Sequence, residues 1–93
     1  MRIEHIDPRE VVLPPECHMD IDYKTSIQTE GFDDEYPGVR KRADGKYDVV
    51  KGERQLRAIL SLIEEDVDCH DLHSGKKVKA SELYRKMLMC VFG

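Results

Sequence analysis

The residues best placed to do chemistry lie between Lys46 and Leu60, KYDVVKGERQLRAIL, where a β-favouring run meets a glycine and continues directly into an amphipathic segment carrying Arg54 and Arg57. Tyr47, Val49 and Val50 favour a strand, and Gly52 lets the backbone turn sharply and approach a neighbour closely. From Glu53 onward Leu56, Ile59, Leu60 and Ile63 recur at helical spacing, which predicts a helix with one apolar stripe and both arginines near its first turns. A helix N-terminus has unpaired N–H groups and a partial positive charge, and arginine adds a planar fork that matches phosphate oxygens. A phosphate or nucleotide phosphate is the ligand class that suits this junction.

The elements that must position these residues are readable along the chain. Ile3 to Ile6 starts a strand that Asp7-Pro8 ends, and Val11, Val12 and Leu13 cover the core edge before the rigid Pro14-Pro15 link. Asp20 or Asp22 caps a helix running to about Glu30, with Gly31 as its stop, so that Ser26 and Ile27 lie in its last turns and Ile27 faces the core. Val39 to Arg42 and Tyr47 to Val50 form a hairpin across Asp44-Gly45, and Glu53 to Glu64 the second helix. Val67 to Leu72 reads as a strand, Ser74-Gly75 as a turn and Val78 as part of a return strand. Ser81 is then the N-cap of a final helix with Leu83, Tyr84, Met87, Leu88 and Val91 on its apolar face. Two roles are open to that helix: closing the core, or docking on a partner or a second copy of the chain. The order predicts a small α/β (α+β) fold, a mixed sheet with flanking helices, in one domain spanning 1–93.

At the central junction the chain resembles a known family. Gly52-Glu53-Arg54-Gln55-Leu56-Arg57-Ala58 resembles the G-E-R-R-x-R-A box of the ParB N-terminal domain, a partition-protein module that shares a fold with sulfiredoxin and is also described as a ParB-like nuclease domain. Thr25-Ser26-Ile27, Glu30-Gly31-Phe32, Pro37 and Val39 resemble its S-I-x-x-x-G-x-x-x-P-x-x-V segment, and Asp44-Gly45-Lys46-Tyr47 its D-G-x-Y hairpin. The resemblance covers roughly the first two-thirds of the chain and rests on three motifs in the same order. It implies a ParB/sulfiredoxin-like fold and CTP with Mg²⁺ as ligand. In that reading Gly52, Glu53, Arg54 and Arg57 hold phosphate, Thr25, Ser26 and Gly31 border the pocket, and Glu53 is the candidate for positioning water or metal.

Three departures from the family pattern stand out. Gln55 replaces a second consecutive arginine and supplies no fixed charge. The link Phe32-Asp33-Asp34-Glu35-Tyr36 is longer and more acidic than the family's, and its carboxylates would repel an anion unless they held a metal. Sulfiredoxin's cysteine position is occupied here by Glu53, which argues against that branch's sulfinic-acid chemistry.

Composition narrows the remaining classes. Fifteen basic against nineteen acidic side chains give a net charge of −4, which argues against a general electrostatic grip on DNA. The charge is uneven, however: Arg40, Lys41, Arg42, Lys46, Lys51, Arg54 and Arg57 cluster mid-chain, enough for a local basic face toward DNA. With no long apolar run and no signal-peptide core, the expectation is a soluble cytoplasmic protein with no membrane partner and no helix-turn-helix domain. Cys17-His18 and Cys69-His70-x-x-His73 are zinc-type ligands, but their spacing matches no finger or ribbon, so reduced thiols and surface histidines are expected instead.

Two function classes follow. One is a ParB-like nucleotide- or phosphate-binding module linked to plasmid partition or DNA processing, with CTP hydrolysis or cleavage by a metal on Glu53, Asp33 and Asp34 as its catalytic forms. The other is a non-enzymatic accessory protein of a plasmid, phage or mobile element that keeps the fold without turnover. Its partners would be a DNA-processing protein or a second copy bound through the C-terminal helix.

Overall fold

The computed structural model describes residues 1–15 and 18–93. The chain opens on β1 (Arg2–Ile6), a single 3-10 turn (Pro8–Glu10) and the short β2 (Val11–Val12). Asp7 caps that turn by accepting the Arg9 N–H at 2.9 Å, and Pro8, with no N–H to leave unpaired, takes its first position. Helix α1 (Ile21–Glu30) begins at Asp20, whose Oδ1 accepts the Tyr23 N–H at 3.0 Å, and stops at Gly31, which adopts a φ of 93°. The antiparallel hairpin of β3 (Gly38–Lys41) and β4 (Tyr47–Lys51) leads into α2 (Glu53–Glu65). A second small hairpin, β5 (Asp68–His70) with β6 (Lys77–Lys79), precedes the single turn α3 (Ala80–Leu83) and the last strand, β7 (Met87–Phe92).

The main sheet has the order β1-β7-β3-β4-β2 and is mixed. β7 runs antiparallel to β1 and parallel to β3, and β2 runs parallel to β4. The expected α+β architecture, a mixed sheet with flanking helices, is therefore present. The stripe of α2 buries Leu56, Ala58, Ile59, Leu62 and Ile63 against Val39, Met89 and Val91 of the sheet and Ile27 of α1 in one apolar cluster. Among the described residues no helix is long and apolar enough to cross a membrane.

The C-terminal segment departs from the sequence expectation. Ser81 lies inside α3, and its N–H donates to Asp66 Oδ1 at 3.1 Å. Met87 to Phe92 form an interior strand rather than a helix, with Met87, Met89 and Val91 joining the core. A short, continuous apolar run suits either a buried strand or a buried helix, and periodicity alone does not distinguish them. Here the free edges of β1 and β3 decide it, because β7 supplies backbone partners to both. There is accordingly no C-terminal helix to dock on a second copy or a partner, and the homo-oligomer expected through it loses its surface.

Leu56 has no solvent exposure, so truncation removes its contacts and leaves a cavity under α2. Leu56→Ala should lower unfolding free energy by about 2–5 kcal/mol, read from urea denaturation.

Candidate functional site

Strand β4 carries the chain to the site and Gly52 turns it. Gly52 adopts a left-handed φ of 83°, and a Cβ there would lie 3.1 Å from Pro37 Cα and 2.5 Å from Gln55 Oε1. A side chain is thus disfavoured by backbone strain and by contact together. As the N-cap of α2, Gly52 gives no side-chain hydrogen bond to the first-turn N–H groups, while its carbonyl accepts the Leu56 N–H at 3.0 Å.

That helix start opens on a cleft of about 310 Å³ lined by His18, Asp20, Glu53, Arg54 and Arg57. The two arginines are held differently. Arg57 is largely buried, with Nε 3.2 Å from Glu53 Oε2 and Nη2 donating to the Pro14 carbonyl. Arg54 keeps 62% of its side-chain surface exposed, stacks 4.2 Å above the Tyr23 ring and points Nη1 to within 3.6 Å of Asp20 Oδ2. A long, solvent-exposed ion pair such as Arg54–Asp20 contributes at most about 1 kcal/mol, so Arg54 is the arginine free to change partner.

The other expected site residues lie next door. Ser26 and Gly31 line a second cleft of about 240 Å³ with Tyr23, Asp33 and Asp34 among its walls. The Ser26 hydroxyl is 3.4 Å from Glu30 Oε2, a long bond to the carboxylate one turn further along the same helix. Gly31 is required for packing as well as for its φ, since a Cβ there would sit 2.6 Å from Leu72 Cγ. Thr25 is exposed, outside both clefts, and its carbonyl accepts the Thr29 hydroxyl at 3.0 Å. The single pocket expected from the sequence is therefore two clefts, with Glu53, Arg54 and Arg57 at one, Ser26 and Gly31 at the other, and Thr25 and Gly52 lining neither, Gly52 packing against Pro37 instead.

Tyr23 joins the two. Its ring carries Arg54, and its hydroxyl donates to Asp34 Oδ2 at 2.9 Å. Burial, reinforced by the Asp34 carboxylate, pushes the Tyr23 phenol up to about 12. The Gln55 amide, helped by the Glu35 N–H and the Tyr23 hydroxyl, holds the Asp34 carboxyl below its ordinary value. Gln55, a departure when compared with an arginine, thus acts on the acidic link by favouring the charged form of Asp34. Sequence reading missed Tyr23 and Asp20 as site residues, and it offered Asp34 only as a metal-holding carboxylate, not as the partner of Tyr23. Asp20 and Tyr23 had a local signal, a capping carboxylate followed three positions later by an aromatic, whereas the Tyr23–Asp34 bond had none.

The acidic link does not build a metal centre. Among the described residues no group of three or more His, Cys, Asp or Glu side chains is placed to hold a metal ion. Glu53 faces the first cleft while Asp33 and Asp34 line the second, so the carboxylate set required for metal-dependent cleavage is not assembled. Cys69 and Cys90 are free and buried, and burial pushes the Cys69 thiol up, away from the thiolate form a metal or electrophile needs. Cys17 lies outside the described residues, and with it the Cys17-His18 pair.

Comparison with protein-family models, with curated proteins and with solved structures finds no match to this chain.

The Tyr23–Asp34–Gln55 group predicts two titrations. A depressed carboxyl stabilises the fold above its unfolded value of 3.8 and loses that contribution as pH falls through the lower folded value. Gln55→Leu should therefore raise the Asp34 midpoint seen by carboxyl NMR and move acid unfolding to higher pH. The raised Tyr23 phenol contributes fully below 10.0 and loses that contribution as pH rises through about 12, and Tyr23→Phe should remove that step from an ultraviolet titration.

Proposed function

We propose that this chain is a nucleotide- or phosphate-binding module, with phosphate taken at the start of α2 by the Gly52-Glu53-Arg54 turn. The observation that carries this reading is a helix N-terminus without a side-chain cap from Gly52, opening on a cleft that also holds an exposed, weakly paired arginine. Backbone N–H groups and a guanidinium fork then converge on one anion. Gly52 permits the left-handed turn that starts α2 at the cleft, Arg54 exchanges Asp20 for a phosphate oxygen, and Arg57 stays fixed on Glu53 and Pro14 as a background charge.

The motif resemblance to the ParB N-terminal domain favours CTP as the nucleotide and DNA partition or processing as the setting. Mg²⁺ would enter with the nucleotide's phosphates, because the carboxylates lining the cleft, Asp20 and Glu53, already face Arg54 and Arg57. The neighbouring cleft with Ser26 and Gly31 is left for the nucleoside. In a hydrolytic form Glu53 would position the attacking water, and Glu53→Gln separates binding from turnover. One observation favours the alternative, an accessory interaction protein that keeps the fold without turnover: each arginine of the cleft already has a carboxylate partner.

Calorimetric titration with CTP, ATP and GTP plus Mg²⁺ at low salt, with inorganic phosphate as control, tests the reading. Selective binding of CTP supports it in full, and heat from none of the four would sink it. Arg54→Ala should weaken nucleotide binding roughly tenfold or more, since a charge-assisted phosphate contact is worth about 1.5–3 kcal/mol. Asp20→Asn keeps a good N-cap for α1 but removes the carboxylate that competes for Arg54, and so should tighten binding several-fold.

A further inference from the structure

The main sheet ends on one side at β1, which pairs with β7 alone and so leaves a row of backbone N–H and C=O groups along its outer edge. The opposite edge, β2, has only two residues and offers no comparable length. Edge strands that resist self-pairing often carry charged side chains, lysine above all, which repel their own copies. β1 instead carries Arg2 and Glu4 on one face, two positions apart and paired with each other, while Ile3 on the other face is 46% exposed and Met1 83%.

Two copies of an edge can extend a sheet antiparallel only about a two-fold axis perpendicular to it, and such an axis must pass beside one residue that faces its own copy. The choice of that residue fixes every other pair. Centring on Arg2 or on Glu4 sets like charges face to face, and centring on His5 sets Glu4 against Ile6 and Ile3 against Asp7. Centring on Ile3 sets Arg2 opposite the second copy's Glu4, Glu4 opposite its Arg2, and Ile3 against Ile3. The charges then form a closed square of alternating sign, with the two isoleucines meeting on the opposite face.

We propose that β1 is a self-association edge: two copies of this chain pair through antiparallel β1 strands centred on Ile3, joining their five-stranded sheets into one continuous sheet. The occupant is a second copy because the complementarity lies within the strand itself. This contact lies on the sheet edge and does not depend on the anion site. It is small, so association is weak, reversible and favoured by low salt.

Sedimentation equilibrium over two decades of protein concentration tests it, on the parent chain, Arg2→Glu, Glu4→Arg and the double reversal Arg2→Glu/Glu4→Arg. The parent should move from monomer to dimer as concentration rises, each single reversal should weaken that association roughly tenfold or more, and the double reversal should restore it. Both side chains are substantially exposed, and circular dichroism with thermal unfolding verifies that every variant folds. A parent that stays monomeric throughout, a dimer indifferent to the single reversals, or a double reversal that fails to recover the dimer each overturns the proposal.

Discussion

The left-handed turn at Gly52 is the constraint on which the rest depends. It ends β4 and starts α2 within a single residue, so the helix must lie against the sheet it has just left, and its apolar stripe is committed to the core. The same turn fits against Pro37, leaving no room for a side chain. Pro37 in turn accepts the Cys90 N–H at 2.8 Å through its carbonyl, so the turn, the start of β3 and the interior strand β7 are braced together. The absence of a Cβ is what allows packing and an uncapped helix start to coincide.

Around that fixed point the mobile and immobile charges separate. Arg57 is largely buried and doubly anchored, and moving it would cost its bonds to Glu53 and to the Pro14 carbonyl. Arg54 rests on an aromatic face and faces a distant carboxylate, so little is lost when it turns. Tyr23 matters here as a platform. Its hydroxyl is fixed by Asp34, which holds the ring in place under Arg54.

Much of this was legible in the sequence, and the parts that were not share a cause. The strand-glycine-helix junction, the Asp20 cap, the Gly31 stop and the Asp44-Gly45 hairpin are local signals, each written within a few residues, and each is present. Met87 to Phe92 failed because six apolar residues in a row fit either kind of buried element, and only the unpaired edges of β1 and β3, some fifty and more than eighty residues upstream, decide between them. The site divided for a similar reason. Ser26 and Gly31 line a different cleft from Glu53 and Arg54, and Tyr23, bonded to Asp34 in the acidic link and stacked under Arg54, stands between the two. Gln55 looked like a lost charge because its partner lies in a loop that no motif describes.

If the cleft takes phosphate as proposed, its electrostatics bear on which phosphate it would take. Asp20 serves two ends at once, capping α1 through Oδ1 and facing Arg54 through Oδ2, so the carboxylate that an incoming phosphate displaces from Arg54 cannot leave the site without uncapping a helix. The anion and Asp20 must share the cleft, and their repulsion counts against binding unless a cation arrives with the ligand. An inorganic phosphate brings none tightly, whereas a nucleotide triphosphate brings a divalent ion on its own oxygens. On the proposed reading the cleft would therefore discriminate by what accompanies the phosphate as well as by the phosphate, and would favour a metal-loaded nucleotide over a bare anion, since no group of three or more metal-ligating side chains is assembled among the described residues.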